Sequence, residues 1–432
     1  MSVKKSQSEV RAAIGALKSI VPTIAVISGV VNVLALAGSF YMLQVYDRVL
    51  SSRSVPTLVA LSLLTIGLYF FQGGLEVVRS QILVRLGSRV DRRLAALAQT
   101  AVMRLPLTSG GRTDAHQPLR DVDSIRTFLS GQGPVAILDM PWLPIYIGFA
   151  YLMHPILGYI IAVGAVMLFL LTLLTEWMVR EPTAAAAKIS RERMALVVAA
   201  ERNAEVLQAM GFGHRLQKRF VDANAEHLRC QERVSDVIGG FSVVSKIFRL
   251  VMQSGLLGVG AYLTLQGEMS GGAIIASSIA ATRALSPIEI AIGQWRVFVQ
   301  ARQGAKRLET VLASLPQDRE PLLLPKPTRT MQIEDVTIRA PGSERVIVSG
   351  VSFELKAGQA LAVIGPSAAG KSTLARAITG VWPLLRGNVR LDGASLSRWS
   401  NVELGKHVGY LPQDIELFDG TITENITRFE EK

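Results

Sequence analysis

Six apolar stretches, each long enough or nearly so to cross a hydrocarbon core, constrain this chain more than any other feature in it. A crossing takes about 20 residues of helix, and the stretches fall near residues 24–46, 57–77, 134–153, 156–177, 241–265 and 272–295. The first, second and fourth stand without support. The third contains Asp139 and Pro141, the fifth Lys246 and Arg249, and the sixth Arg283 and Glu289, so these three rest on the pattern of the whole.

Charge supplies that pattern. The chain of 432 residues carries a net charge of +12, which by itself raises nucleic-acid binding. Its distribution argues otherwise. Residues 331–432 hold 11 Lys and Arg against 12 Asp and Glu, while residues 1–330 hold 35 against 22. The excess sits where the apolar runs are, and it marks topology. Segments 1–22, 78–133, 178–240 and 296–330 carry thirty Lys and Arg, and the alternate short loops carry only Arg48 and Arg53. The expectation is a multi-pass protein with both ends cytoplasmic and no nucleic-acid partner. A cleaved signal peptide is not expected, because the first apolar run is too long and lacks a small-residue cleavage site. Cys230 is the single cysteine, which excludes an intramolecular disulfide and a Cys-cluster metal site.

The two long inner segments are rich in Ala, Leu, Arg and Glu over 78–100 and 184–209, which predicts helices running well beyond the membrane. Pro106, Gly110, Gly111 and Pro118 are expected to break the first excursion, and Gly211 with Gly213 the second. Each excursion is then two helices joined by an elbow, a design suited to a transporter driven from the cytoplasm. Asp139, Lys246 and Arg249 lie toward span ends, where snorkelling is the expected reading. Arg283 lies deeper, with pathway lining and pairing to a neighbouring helix both open. Pro287 predicts a kink.

Beyond a Pro-rich linker at 314–330 the pattern is that of a second domain. Residues 331–338 and 346–355 predict strands, and 361–364 predicts a short apolar strand entering Gly365, Pro366, Ser367, Ala368, Ala369, Gly370, Lys371, Ser372 and Thr373. A helix is expected to follow. This is a complete GxxxxGK[ST] phosphate-binding loop, whose fixed positions co-occur by accident in only about 1–2% of chains this long. The glycines let consecutive N–H groups and the helix start face phosphate oxygens. Lys371 can reach the β- and γ-phosphates, and Ser372 can ligate Mg²⁺. Nucleotide binding, with ATP and Mg²⁺ as cofactors, is the expectation.

Six spans with long stalks and a phosphate-binding loop resemble one half-transporter of the ABC exporter family. Val408, Gly409, Tyr410, Leu411, Pro412, Gln413 and Asp414 resemble that family's Q-loop, and residues 417–426 the stretch that follows it. The resemblance implies that Gln413 contacts Mg²⁺ and the attacking water. Residues 40–54 (Phe40 to Ser54), 203–211 (Asn203 to Gly211) and 283–289 (Arg283 to Glu289) are similar to type I secretion permease/ATPases of Gram-negative bacteria, within them the PrtD-like, protease-secretion branch. Asn203 to Gly211 would then lie near the second coupling helix.

The implied fold is a six-helix transmembrane domain of ABC exporter type over residues 23–313, preceded by a cytoplasmic segment 1–22. After the 314–330 linker comes part of an α/β P-loop nucleotide-binding domain, 331–432. The implied function is ATP-driven export of an unfolded protein with a C-terminal secretion signal across the bacterial inner membrane. Implied partners are a second copy in a homodimer, a membrane-fusion protein, an outer-membrane channel, the secreted protein and membrane lipid. Two departures stand beside the matches. Ala340 occupies the place where many such domains stack an aromatic residue on adenine. The residues after Lys371 hold no LSGGQ-type signature, no Asp-Glu-ending strand and no switch histidine, so weak hydrolysis is expected of this chain alone. The residues also leave open a truncated, non-hydrolysing subunit or decayed gene product, and a lipid or small molecule as cargo.

Overall fold

The computed structural model describes Gly15 and residues 20–109, 116–315, 324–413 and 417–430. Lys4, Lys5, Arg11, Lys18, Gly110, Gly111, Pro316, Pro321 and Asp414 lie outside the described residues. The chain divides into two compact units. One comprises Met1–Val102 and Asp114–Ser314, the other Met103–Thr113 and Leu315–Lys432.

The first unit is all helix. Helix α1 (Val21–Leu34) and α2 (Ala37–Gln44) build the first predicted span, and a π-helical turn, Val45–Val49, closes it. Helix α3 (Val55–Ser109) contains the second span and runs 32 residues beyond it. Helix α4 (Gln117–Leu129) is followed by α5 (Gln132–Asp139), a 3-10 turn at Met140–Trp142 and α6 (Leu143–Met153). Pro141 lies in that turn and interrupts the third span without ending it. Helix α7 (Pro155–Arg202), short α8 (Ala204–Ala209) and α9 (Gly213–Leu265) form the second excursion. Helices α10 (Gly271–Gly293) and α11 (Trp295–Ser314) complete the unit.

Five of these segments are long and apolar enough to cross a membrane, and the predicted span at 241–265 is not among them. It forms the second half of α9, but Lys246, Arg249 and Gln253 lower its hydropathy. Its Leu256 and Leu263 are nonetheless buried in the core with Tyr146, Phe149, Leu157 and Ile161. Helix α10 supplies Ala273, Ala276, Ala280, Ala281 and Ala284 to that core. Small side chains let helices approach closely where lipid removes the hydrophobic drive to associate. On α3, by contrast, large apolar side chains point outward, Phe70 with 80% of its surface exposed, as lipid-facing residues do.

Pro106 acts differently from its sequence reading. Pro106 lies inside α3, which runs on to Ser109, and Pro118 sits in the first turn of α4, where a missing N–H costs nothing. Helix α10 is continuous with Pro287 inside it. The second excursion does break where Gly211 takes a positive φ of 66°.

Asp139 and Arg249 depart from simple snorkelling. Asn32 donates from Nδ2 to Asp139 Oδ1 at 2.9 Å, and Arg79 donates from Nη1 to the same oxygen at 2.8 Å and to Ser28 Oγ at 3.1 Å. The Tyr146 hydroxyl donates to Asn32, with Oδ1 at 2.9 Å. Asp139 is thus the centre of a network joining α1, α3, α5 and α6. Arg249 on α9 donates from Nε to Glu289 on α10 at 2.8 Å. Burial in an apolar surround makes pairing cheaper than leaving either charge alone, which the sequence reading of single residues could not include. Arg283 is exposed, with no ion pair among the described residues.

The π-helical turn has its own partner. Ser270 Oγ donates to Asp47 Oδ2 at 2.5 Å, and the Gly272 N–H donates to Asp47 Oδ1 at 2.9 Å. Asp47 therefore caps the start of α10, with a carboxylate at the positive end of the helix. A Cβ at Gly272 would stand 2.6 Å from Asp47 Oδ1 and 2.8 Å from the Leu43 carbonyl, so only glycine admits the approach.

The second unit holds strands β1 (Thr330–Arg339), β2 (Val346–Lys356), β3 (Arg386–Leu391) and β4 (Ala394–Ser395) in one antiparallel sheet ordered β2-β1-β3-β4. Helix α12 (Lys371–Ile378) packs on it, burying Leu374 and Ala377 against Ile333, Val336, Ile338 and Val389. Helices α13 (Asn401–His407) and α14 (Ile422–Ile426) follow. The predicted strand at 361–364 is not formed. No described strand lies beside it to pair with its N–H and C=O groups, and Ile364 is 90% exposed.

Candidate functional site

The site is built by β2 and α12. Alternation along β2 turns Val348 toward the loop, and Leu374 and Ala377 hold α12 on the sheet. Gly370 is the residue that joins them. Its φ of 93° lies in the left-handed region, and a Cβ there would stand 2.7 Å from Val348 Cγ2. Both observations require glycine. The first amides of α12, from Lys371 onward, lie outside the intrahelical ladder and at its positive end.

Lys371 is folded over the loop. Its Nζ donates to the carbonyls of Gly365 at 2.7 Å and Pro366 at 2.8 Å. The ammonium thus stands at the mouth of the ring formed by Gly365, Pro366, Ser367, Ala368, Ala369 and Gly370. Ala368 takes a φ of 66°, a conformation that costs a non-glycine residue about 1–2 kcal/mol. The Ala369 N–H donates to the Pro366 carbonyl at 3.3 Å, which closes the turn. Ser372 is exposed in the first turn of α12, and Thr373 is buried beneath it.

The nine loop residues therefore come together as one cradle. Gln413 is exposed beyond α13, and among the described residues it makes no hydrogen bond to the loop. Ala340 sits in the β1–β2 turn, its N–H donating to the Arg345 carbonyl at 3.4 Å. Sequence reading missed Val348, whose contact with Gly370 fixes the loop's approach; the alternation of β2 was the available signal. It also missed Ser28, Asn32 and Arg79, although a Ser and an Asn four apart in an apolar span share one helix face.

Comparison with known proteins agrees with this arrangement. The family model for the ABC transporter transmembrane region matches residues 21–285, and that for the ABC transporter matches residues 348–432. The chain belongs to the ABC transporter family. Within it, the chain is 48% identical over 408 residues to the type I secretion system ATP-binding protein PrsD of Rhizobium meliloti, spanning 94% of this chain and 70% of that protein. It is 24% identical over 406 residues to the leukotoxin translocation ATP-binding protein LktB of Mannheimia haemolytica, spanning 93% of this chain and 57% of that protein. The structure of a bacterial Atm1-family ABC exporter with ATP bound superposes with a TM-score of 0.76 at 21% identity, covering 96% of this chain and 74% of that one. That likeness gives the fold. The ABC transporter chain is therefore a multi-pass membrane protein of exporter fold, on the type I secretion branch.

Proposed function

We propose that this chain is the ATP-driven export subunit of a type I secretion system, moving an unfolded protein with a C-terminal secretion signal across the inner membrane. The observation that carries the reading is the joint occurrence, in one chain, of a membrane unit and a phosphate cradle along 94% of which it is 48% identical to PrsD. Residues 23–313 form the membrane domain, 314–330 a linker and 331–432 part of the nucleotide-binding domain, with both ends cytoplasmic.

In this reading Gly365, Pro366, Ser367, Ala368, Ala369 and Gly370 direct backbone N–H groups at the β-phosphate of ATP, and Lys371 exchanges its two loop carbonyls for β- and γ-phosphate oxygens. The Ser372 and Gln413 side-chain oxygens would hold Mg²⁺, a hard cation suited to oxygen ligands. Ser372 fits, being exposed at the helix start, and exposed Gln413 makes no hydrogen bond among the described residues that it must break. The ion supplies charge neutralisation across the phosphates. Thr373 anchors the helix start from below. A second copy of the chain, a membrane-fusion protein and an outer-membrane channel complete the assembly.

Deleting the gene and comparing culture supernatants by mass spectrometry tests the reading. Loss of a small set of proteins with unprocessed N-termini, reproduced by chromosomal Lys371→Ala, is the expected result. An unchanged set of secreted proteins with altered lipid or small-molecule export would overturn it.

A further inference from the structure

The first unit contains a cavity of 360 Å³ between the α4–α11 pair and the α7–α9 pair, within the size range of ligand sites. Arg120 from α4, Arg191 from α7, Arg296 and Arg307 from α11, and His227 from α9 line it. Asp121 is the one carboxylate in the lining. It is 98% buried and is already committed to Arg307, whose Nη2 donates to its Oδ1 at 2.6 Å. Arg191 and Arg296 have no carboxylate partner among the described residues.

A second observation points to a ligand. Thr183, only 7% exposed, lines this cavity and its Oγ1 has no hydrogen-bond partner among the described residues, nor has the buried Nδ1 of His227, which also lines it. Buried polar atoms rarely go unpaired, and two in one basic cavity mark positions that an acceptor-rich group would satisfy.

Depth selects the ligand. Arg296 directly follows Trp295, which ends the sixth apolar stretch, and Thr183 lies six residues past Trp177, which ends the fourth. At 1.5 Å per residue, Thr183 lies about 9 Å beyond the apolar boundary. The polar headgroup layer occupies roughly 5–8 Å on each side of the hydrocarbon, so the cavity mouth runs from Arg296, just past the hydrocarbon, across the headgroup layer to Thr183 at its outer edge. Arg191 and His227 continue it deeper, toward water.

We propose that this cavity binds the phosphate of an anionic lipid headgroup from the leaflet on the stalk side. Guanidinium groups pair phosphate through two parallel N–H donors, and basic pockets between helices just outside the membrane suit such headgroups. The proposal depends on the chain spanning a membrane and is independent of what the chain exports.

The test is native mass spectrometry of the full chain in detergent, titrated with cardiolipin and, for comparison, with phosphatidylcholine. Cardiolipin is expected to bind more tightly than phosphatidylcholine. The Arg191→Gln/Arg296→Gln double variant should lose about tenfold in cardiolipin affinity. Exposed Arg219→Gln should leave it unchanged. Thr183→Val, which removes an unpaired hydroxyl at nearly constant shape, should bind more weakly while melting no lower; it carries the test if the double variant does not fold. Equal affinity for the two lipids, or an undiminished affinity in both the double variant and Thr183→Val, would overturn the proposal. So would inorganic phosphate displacing cardiolipin at equal concentration, which assigns the cavity to free anions, or capture of a polyglutamate peptide without cardiolipin binding, which assigns it to acidic polypeptide.

Discussion

Arg79 Nη1 lies 2.8 Å from Asp139 Oδ1, and the two side chains are only 10% and 15% exposed. They come from helices α3 and α5, 60 residues apart in sequence, and Asn32 shares the same carboxylate oxygen. Removing either charge leaves the other buried among apolar neighbours without its partner. Asp139→Ala is therefore expected to cost about 3–5 kcal/mol. The Arg79→Met/Asp139→Leu double variant is expected to cost far less, because no orphan charge remains. Thermal unfolding of the detergent-extracted chain checks both, and equal loss in the two variants would refute the argument.

Ala368 holds a left-handed backbone inside the phosphate loop. Glycine has no penalty there, and its extra freedom in the unfolded chain recovers only part of the gain. Ala368→Gly is expected to stabilise the loop by about 0.5–1 kcal/mol, read as a roughly two- to fivefold increase in hydrogen-exchange protection of the α12 amides in the full chain. Lys371→Ala should leave that protection within twofold, roughly, while abolishing nucleotide binding measured with a fluorescent ATP analogue.

Asp392 accepts N–H donors from Thr328, Arg329 and Thr330, at 2.7, 2.9 and 2.6 Å. Those three amides hold its carboxyl below the usual carboxylate range. The folded value is lower than the unfolded one, so this clasp is fully present above the unfolded value of about 3.9 and is lost as pH falls through the folded value. Protection of the Thr328 and Thr330 amides should accordingly hold at neutral pH and fall only in acid below the unfolded value. Asp392→Asn should lower it at neutral pH and flatten its pH dependence.

The phosphate loop was legible because its information is local. Glycine at 365 and 370 and lysine at 371 shape a turn whatever surrounds them. Residues 361–364 were misread for the opposite reason: a strand exists only beside another strand, and an apolar run cannot show its neighbours. The spans at 156–177 and 57–77 declared themselves by length. The segment at 241–265 did not meet the same test, since Lys246 and Arg249 look costly until Glu289, 40 residues past Arg249, supplies one of them with a partner. Asp139 was misjudged likewise, its partners lying 60 and 107 residues away. Pairing across helices is a property of the packed bundle.

The clasp of Asp47 on Gly272 also sets an order of events during synthesis. The two residues are 225 positions apart, and a ribosome adding about 5–20 residues per second needs roughly 11–45 seconds to deliver the second after the first. For that interval the C-terminal end of the first span waits with an unanswered carboxylate. The last span to enter is the one that locks the first, so the bundle closes as a ring fastened only when its final helix arrives.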